Sequence, residues 1–196
     1  MSKVADSFIE QRSKILAMVQ FTSRPDLHVS DSPEDSGLDL LVQTVFALDY
    51  LGLFGVALKG TIQSIRDAKE ATQILGTMDR EKSSDPSLRY PFPVVVLLFS
   101  MQDDSGYYAW LVEPVGVREG EPKLKLHGSP NCEPFNRTSL TYLIARVNDW
   151  YLKYLGVTRS WKGVQRVGDV GPDRHPDDIR LGLVPTDPGG VEMTLQ

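Results

Sequence analysis

Gly37-Leu38-Asp39-Leu40-Leu41-Val42-Gln43-Thr44-Val45 and, after a short connection, Phe54-Gly55-Val56-Ala57-Leu58-Lys59-Gly60-Thr61 decide the fold of this chain. Both halves are rich in β-branched and aliphatic side chains, and Asp49 to Gly52 supplies a turn between them. That pattern predicts an antiparallel hairpin. Side chains alternate between the two faces of a strand. Leu38, Leu40 and Val42 are therefore expected on one face, and Asp39, Leu41 and Gln43 on the other. On the second strand Val56 and Leu58 oppose Ala57 and Lys59. Asp39 and Lys59 stand out as ionisable residues in otherwise apolar strands, placed to meet on one side of a sheet.

The rest of the chain is consistent with a globular α/β protein. It has 196 residues, 41% hydrophobic and 24% charged, enough for one domain with a substantial core. A net charge of −5 argues against a protein that coats nucleic acid with basic surface, although a local patch can still contact phosphate. The single cysteine, Cys132, forms no internal disulfide, which fits a reducing cytoplasm. No basic segment followed by an apolar one marks a signal peptide. The longest apolar run, Val94 to Phe99, is far short of the roughly 20 residues a membrane helix needs. The expectation is a cytoplasmic protein with no membrane partner.

Taken in order, Ser7-Phe8-Ile9-Glu10 has the form of a capping box. Phe8, Ile15, Leu16 and Val19 then recur at helical spacing to about Gln20. Leu27 to Val29 reads as a short strand, and Ile62 to Leu75 as a helix stopped by Gly76. Asp79 to Arg89 is a polar loop carrying Arg80, Lys82 and Arg89, either solvated surface or a phosphate contact. Pro93 to Ser100 is apolar on both faces, as a central strand is. Asp103-Asp104-Ser105-Gly106 turns it into Tyr107 to Val112, closed by Glu113-Pro114, with Tyr108 and Trp110 opposite Tyr107. Residues 115–117 and 123–127 are expected to form one more hairpin. His28 and His127 lack a partner at metal-ligand spacing. Asn136, Thr138 or Ser139 caps a long helix whose stripe of Leu140, Leu143, Ile144, Val147, Trp150, Tyr151 and Tyr154 packs on the sheet or on a second copy. Residues 156–196 turn rich in Gly and Pro, which break regular elements. Two regions follow, 1–155 and a C-terminal extension, 156–196, that docks on its own domain or on a partner.

A Gly-x-Asp strand followed across a hairpin by an acid-x-Lys strand marks the PD-(D/E)xK, or restriction-endonuclease-like, nuclease superfamily, which Gly37-Leu38-Asp39 and Ala57-Leu58-Lys59 resemble in all but the acid. Glu10-Gln11-Arg12-Ser13, Gly37-Leu38-Asp39, Phe54-Gly55-Val56, Lys59-Gly60-Thr61, Tyr90-Pro91-Phe92-Pro93 and Trp110-Leu111-Val112-Glu113-Pro114 occur together. As a set they are similar to one bacterial family of that superfamily, of the Domain of Unknown Function 4365 type, over roughly residues 7 to 155. The resemblance implies a mixed β-sheet flanked by helices. It also implies a site in which Asp39, the main-chain carbonyl of Leu58 and Glu10 hold Mg²⁺ or Mn²⁺, while Lys59 positions the attacking water. A role near bacterial defence systems is a further implication of the family.

One position departs from the pattern. The acid expected two residues before Lys59 is Ala57, which has no side-chain oxygen for a hard cation. Either the site is inactive, another carboxylate such as Glu10 supplies the ligand, or the residue was substituted deliberately. Glu10 competes between that role and the helix cap. Three functions follow. One is a metal-dependent phosphodiesterase acting on nucleic acid. A second is a non-catalytic nucleic-acid- or protein-binding module in which Asp39 and Lys59 form a cross-strand ion pair. A structural subunit assembling through residues 139–155 and the tail is the third.

Overall fold

The structure, a computed structural model, describes residues 3–33, 36–46, 49–78, 90–116, 122–128, 131–161, 181–185 and 191–195. The expected loop at 79–89, with Arg80, Lys82 and Arg89, lies outside the described residues. The chain divides into two units, Met1–Thr158 and Arg159–Gln196.

The first unit is mixed α/β. Helix α1 (Lys3–Thr22) leads into β1 (Leu27–Asp31), β2 (Leu40–Phe46) and β3 (Asp49–Thr61), then α2 (Ala68–Met78) and β4 (Val94–Ser100). After β4 come β5 (Gly106–Val115), β6 (Lys123–Leu126), the short β7 (Glu133–Pro134) and α3 (Arg137–Trp161). The seven strands form one sheet in the order β1-β2-β3-β4-β5-β6, with β7 also on β5. Only β3 and β4 run parallel, joined through α2; the other pairs are antiparallel. The expected hairpin is present as β2–β3, with Leu40 opposite Val56 and Val42 opposite Phe54, but Asp49 to Gly52, expected as its turn, belong to β3 and pair with β2.

Helices cover both faces of the sheet. Leu40, Val42, Phe54, Val56, Val95 and Leu97 pack with Ala17 and Phe21 of α1 and Leu140, Leu143, Ile144 and Val147 of α3. On the other face Val96, Leu98, Tyr107 and Ala109 meet Ala71 and Leu75 of α2. Every residue of β4 is buried, so the two-sided apolar run has the central position its sequence demands. The α3 stripe is spent on this core, leaving Tyr142 and Leu152 as its exposed large apolar residues among those described. Asn136 is the cap: its Oδ1 accepts from the amides of Thr138 and Ser139, and Ser139 Oγ accepts from the Asn136 amide.

Several expectations are corrected. Helix α1 begins at Lys3, so Ser7 and Glu10 lie inside it and form no cap. Of its expected stripe, Phe8, Ile15 and Val19 are between 55% and 62% exposed and Leu16 packs on the core, while Ile9, Ser13, Ala17 and Phe21 are buried. The reason is close packing. A Cβ built on Gly60 of β3 would lie 2.4 Å from Ile9 Cγ2 and 2.5 Å from Ser13 Oγ, so the bare backbone at Gly60 is what lets this face of α1 seat on β3. Helix α2 starts only at Ala68, capped by Asp67 through the Glu70 amide at 2.8 Å, and it runs through Gly76. Strand β5 continues past Glu113 and Pro114 to Val115. Helix α3 extends to Trp161, beyond the expected end near Leu155. In the second unit β8 (Leu181–Pro185) and β9 (Val191–Leu195) pair antiparallel, so the glycines and prolines do not exclude regular structure there.

Candidate functional site

Asp39 sits just before β2, two residues after Gly37, which takes a positive φ of 73°. Its amide donates to the Val56 carbonyl at 2.9 Å, continuing the ladder for one step. Beyond that step β2 offers β3 no further backbone partner. The Leu58 amide, which points toward β2, donates instead to Asp39 Oδ2 at 2.6 Å. The carboxylate thus stands in for a missing main-chain carbonyl and satisfies an amide that would otherwise go unpaired.

The turn into β2 also changes the expected faces. Leu38 packs with Leu41, Val94 and Val112, and its Cδ1 would lie 2.6 Å from a Cβ on Gly55. Leu40 and Val42 belong to the opposite face. Leu38 and Leu40 do not share a side, because Leu38 precedes the strand and regular alternation begins only at Leu40.

The same alternation separates Glu10 from Lys59. Gly60 points at α1, as its contacts with Ile9 and Ser13 show, and Ala57 packs in the α2-side cluster. Lys59 therefore projects on the face turned away from α1. Glu10 is exposed on α1, on the other side. The pairing of Asp39, Lys59 and Glu10 in one cleft beside the first helix is not what the structure has. Lys59 is partly buried and makes no ion pair with Asp39 or with any other described residue.

These residues are a poor match for a resident Mg²⁺ or Mn²⁺. The register carried one step past Leu40–Val56 sets Asp39 opposite Ala57, where the second carboxylate is missing. Asp39 has already given one oxygen to the Leu58 amide. The Leu58 carbonyl points the same way as its amide, but one carboxylate and one carbonyl fall short of the oxygen-rich shell a hard dication takes up. No three His, Cys, Asp or Glu side chains cluster as metal ligands among the described residues.

A different polar cluster, absent from the sequence reading, forms around β5. Register between β4 and β5 shifts after Val94–Val112, so that Trp110 pairs with Val95 and Leu111 is left as a bulge. The bulge puts Leu111 and Val112 on the same side, packed with Leu38 and Val94, and swings Glu113 onto the α3 face with Tyr108 and Trp110. There Glu113 meets Arg146 Nη2 at 2.6 Å and His127 Nε2 at 2.5 Å. Tyr108 donates to Glu133 Oε2 at 2.7 Å, from the strand paired beside it. Burial, and then the hydrogen bond to Glu133, push the Tyr108 phenol well above its usual range. Strict alternation hides this cluster, since it places Glu113 on the face opposite Tyr108 and Trp110; only the tandem Leu111-Val112 before a charged residue hints at a bulge.

Cys132 is buried, and burial raises its thiol, as expected of a packing residue. No helix among the described residues is long and apolar enough to cross a membrane. Compared with known proteins, the chain matches no family model, no curated sequence and no solved structure.

Proposed function

We propose that this chain is a non-catalytic binding module on a restriction-endonuclease-like scaffold, in which the β2–β3 hairpin has become structural. The bond from the Leu58 amide to Asp39 Oδ2 carries the reading, because it gives the one candidate metal carboxylate another task. Ala57 and the outward Glu10 support it, since neither completes a ligand set. The chain's net charge of −5 and the exposed Phe8, Ile15 and Val19 favour a protein or small-molecule ligand over a polyanionic strand.

The test is a comparison of the wild type with Ala57→Glu. Calorimetry with Mn²⁺ and cleavage assays on single- and double-stranded DNA and RNA are expected to show neither binding nor turnover for the wild type. Cleavage by the wild type that disappears in Lys59→Ala would replace this reading with the phosphodiesterase. Gain of metal binding in Ala57→Glu alone would place the loss at that single position.

A further inference from the structure

Between β5, β7 and the first turns of α3 lies a cavity of about 430 Å³, lined among others by Tyr108, Trp110, Glu113, Glu133, Tyr142 and Arg146. We propose that it binds an alkylammonium cation, either free or at the tip of a lysine side chain. The inference goes beyond the hairpin reading and does not rest on it, because neither Asp39 nor Lys59 lines the cavity.

Charge accounting selects the sign of the ligand. Glu113 is paired within the fold with Arg146 and shares a hydrogen bond with His127 Nε2, and Arg146 is in turn committed, its Nε donating to the Pro114 carbonyl. Glu133, exposed on β7, has no cationic partner among the described residues; its side chain accepts one bond there, from Tyr108. The lining thus keeps one uncompensated carboxylate. An anionic ligand would meet that charge with Arg146, the cation among the described lining residues, already paired to Glu113, whereas a cation would complete the set. The aromatic side chains point the same way. Tyr108 and Trp110 rise from β5, and Tyr142, 72% exposed, stands on α3 across from them. Aromatic rings beside a carboxylate are the environment in which ammonium groups bind through the ring quadrupole. Because its phenol stays protonated, Tyr108 holds the Glu133 carboxylate in place without adding charge of its own.

Calorimetric titration of the full chain uses four probes: choline, N-acetyl-lysine amide, 3,3-dimethylbutan-1-ol as the uncharged isostere of choline, and inorganic phosphate. Saturable binding of choline or of the lysine amide is expected, with none for the isostere or phosphate. Whichever cation binds more tightly identifies the source as a small quaternary amine or a side chain. Glu133→Gln and Tyr142→Ala are each expected to weaken binding by about tenfold. Tyr142 is exposed, so its truncation leaves the core intact and serves if Glu133→Gln is found by circular dichroism to be misfolded. Equal affinity for the isostere, unchanged affinity in a folded Glu133→Gln or Tyr142→Ala, or no binding of either cation would overturn the proposal.

Discussion

At residue 39 an acid on an apolar strand invites a catalytic reading, yet its nearest task is to close an open amide. The two roles respond differently to substitution. Asparagine keeps a carbonyl oxygen for the Leu58 amide, whereas alanine leaves that amide without a partner. Asp39→Ala is therefore expected to cost about 1–3 kcal/mol in urea denaturation, and Asp39→Asn clearly less. Equal loss in both would show that charge, not the hydrogen bond, is what the position supplies. Asp26 offers a pH test at the same scale. Arg24 donates twice to it, at 2.9 and 2.7 Å, and those bonds hold its carboxyl below the usual carboxylate range. A depressed folded pKa gives stability that is present above the unfolded value of about 3.9 and is lost as pH falls through the folded one. The stability gap between wild type and Asp26→Asn should thus be present at pH 7 and vanish in strong acid. Both side chains are partly exposed, so the gap should stay below about 1 kcal/mol.

Among the elements, α1 shows how close packing picks one face of a helix. Ile9, Ser13, Ala17 and Phe21 turn inward, with Ile9 and Ser13 against Gly60 of β3, while Phe8, Ile15 and Val19 stay exposed. Two glycines with opposite surroundings test this. Gly60→Ala would drive a methyl into Ile9 and Ser13 and should destabilise by about 1–3 kcal/mol, read from a thermal or urea midpoint. Gly76, inside α2, has nothing within 4 Å of a built Cβ, so Gly76→Ala should stabilise by about 0.5–1 kcal/mol through helix propensity alone. A neutral result at Gly60 would mean that α1 can slide away from β3 at little cost. The bulge in β5 is the second case. One residue without a partner on β4, Leu111, reassigns Glu113 to the face of Arg146 and His127 and so builds the polar cluster.

For the whole molecule, the described core residues all fall between Ile9 and Trp150, inside the unit Met1–Thr158. A chain ending after Thr158 is expected to unfold cooperatively, with its midpoint within about 2–4 °C of the full chain. A larger drop would show that the second unit contributes to the core. Much of this architecture is legible in the sequence. The β2–β3 hairpin, the buried β4, the long α3 and the opposed faces of Tyr107 and Tyr108 follow from alternation, β-propensity and helical period, which are properties of short segments. The side of α1 that turns inward, the face on which Lys59 emerges and the direction of Glu113 do not follow from those patterns. Each depends on how closely two distant segments approach or on a one-residue change of register. Such choices are made between strands and helices far apart in the chain, so only the tertiary structure settles them.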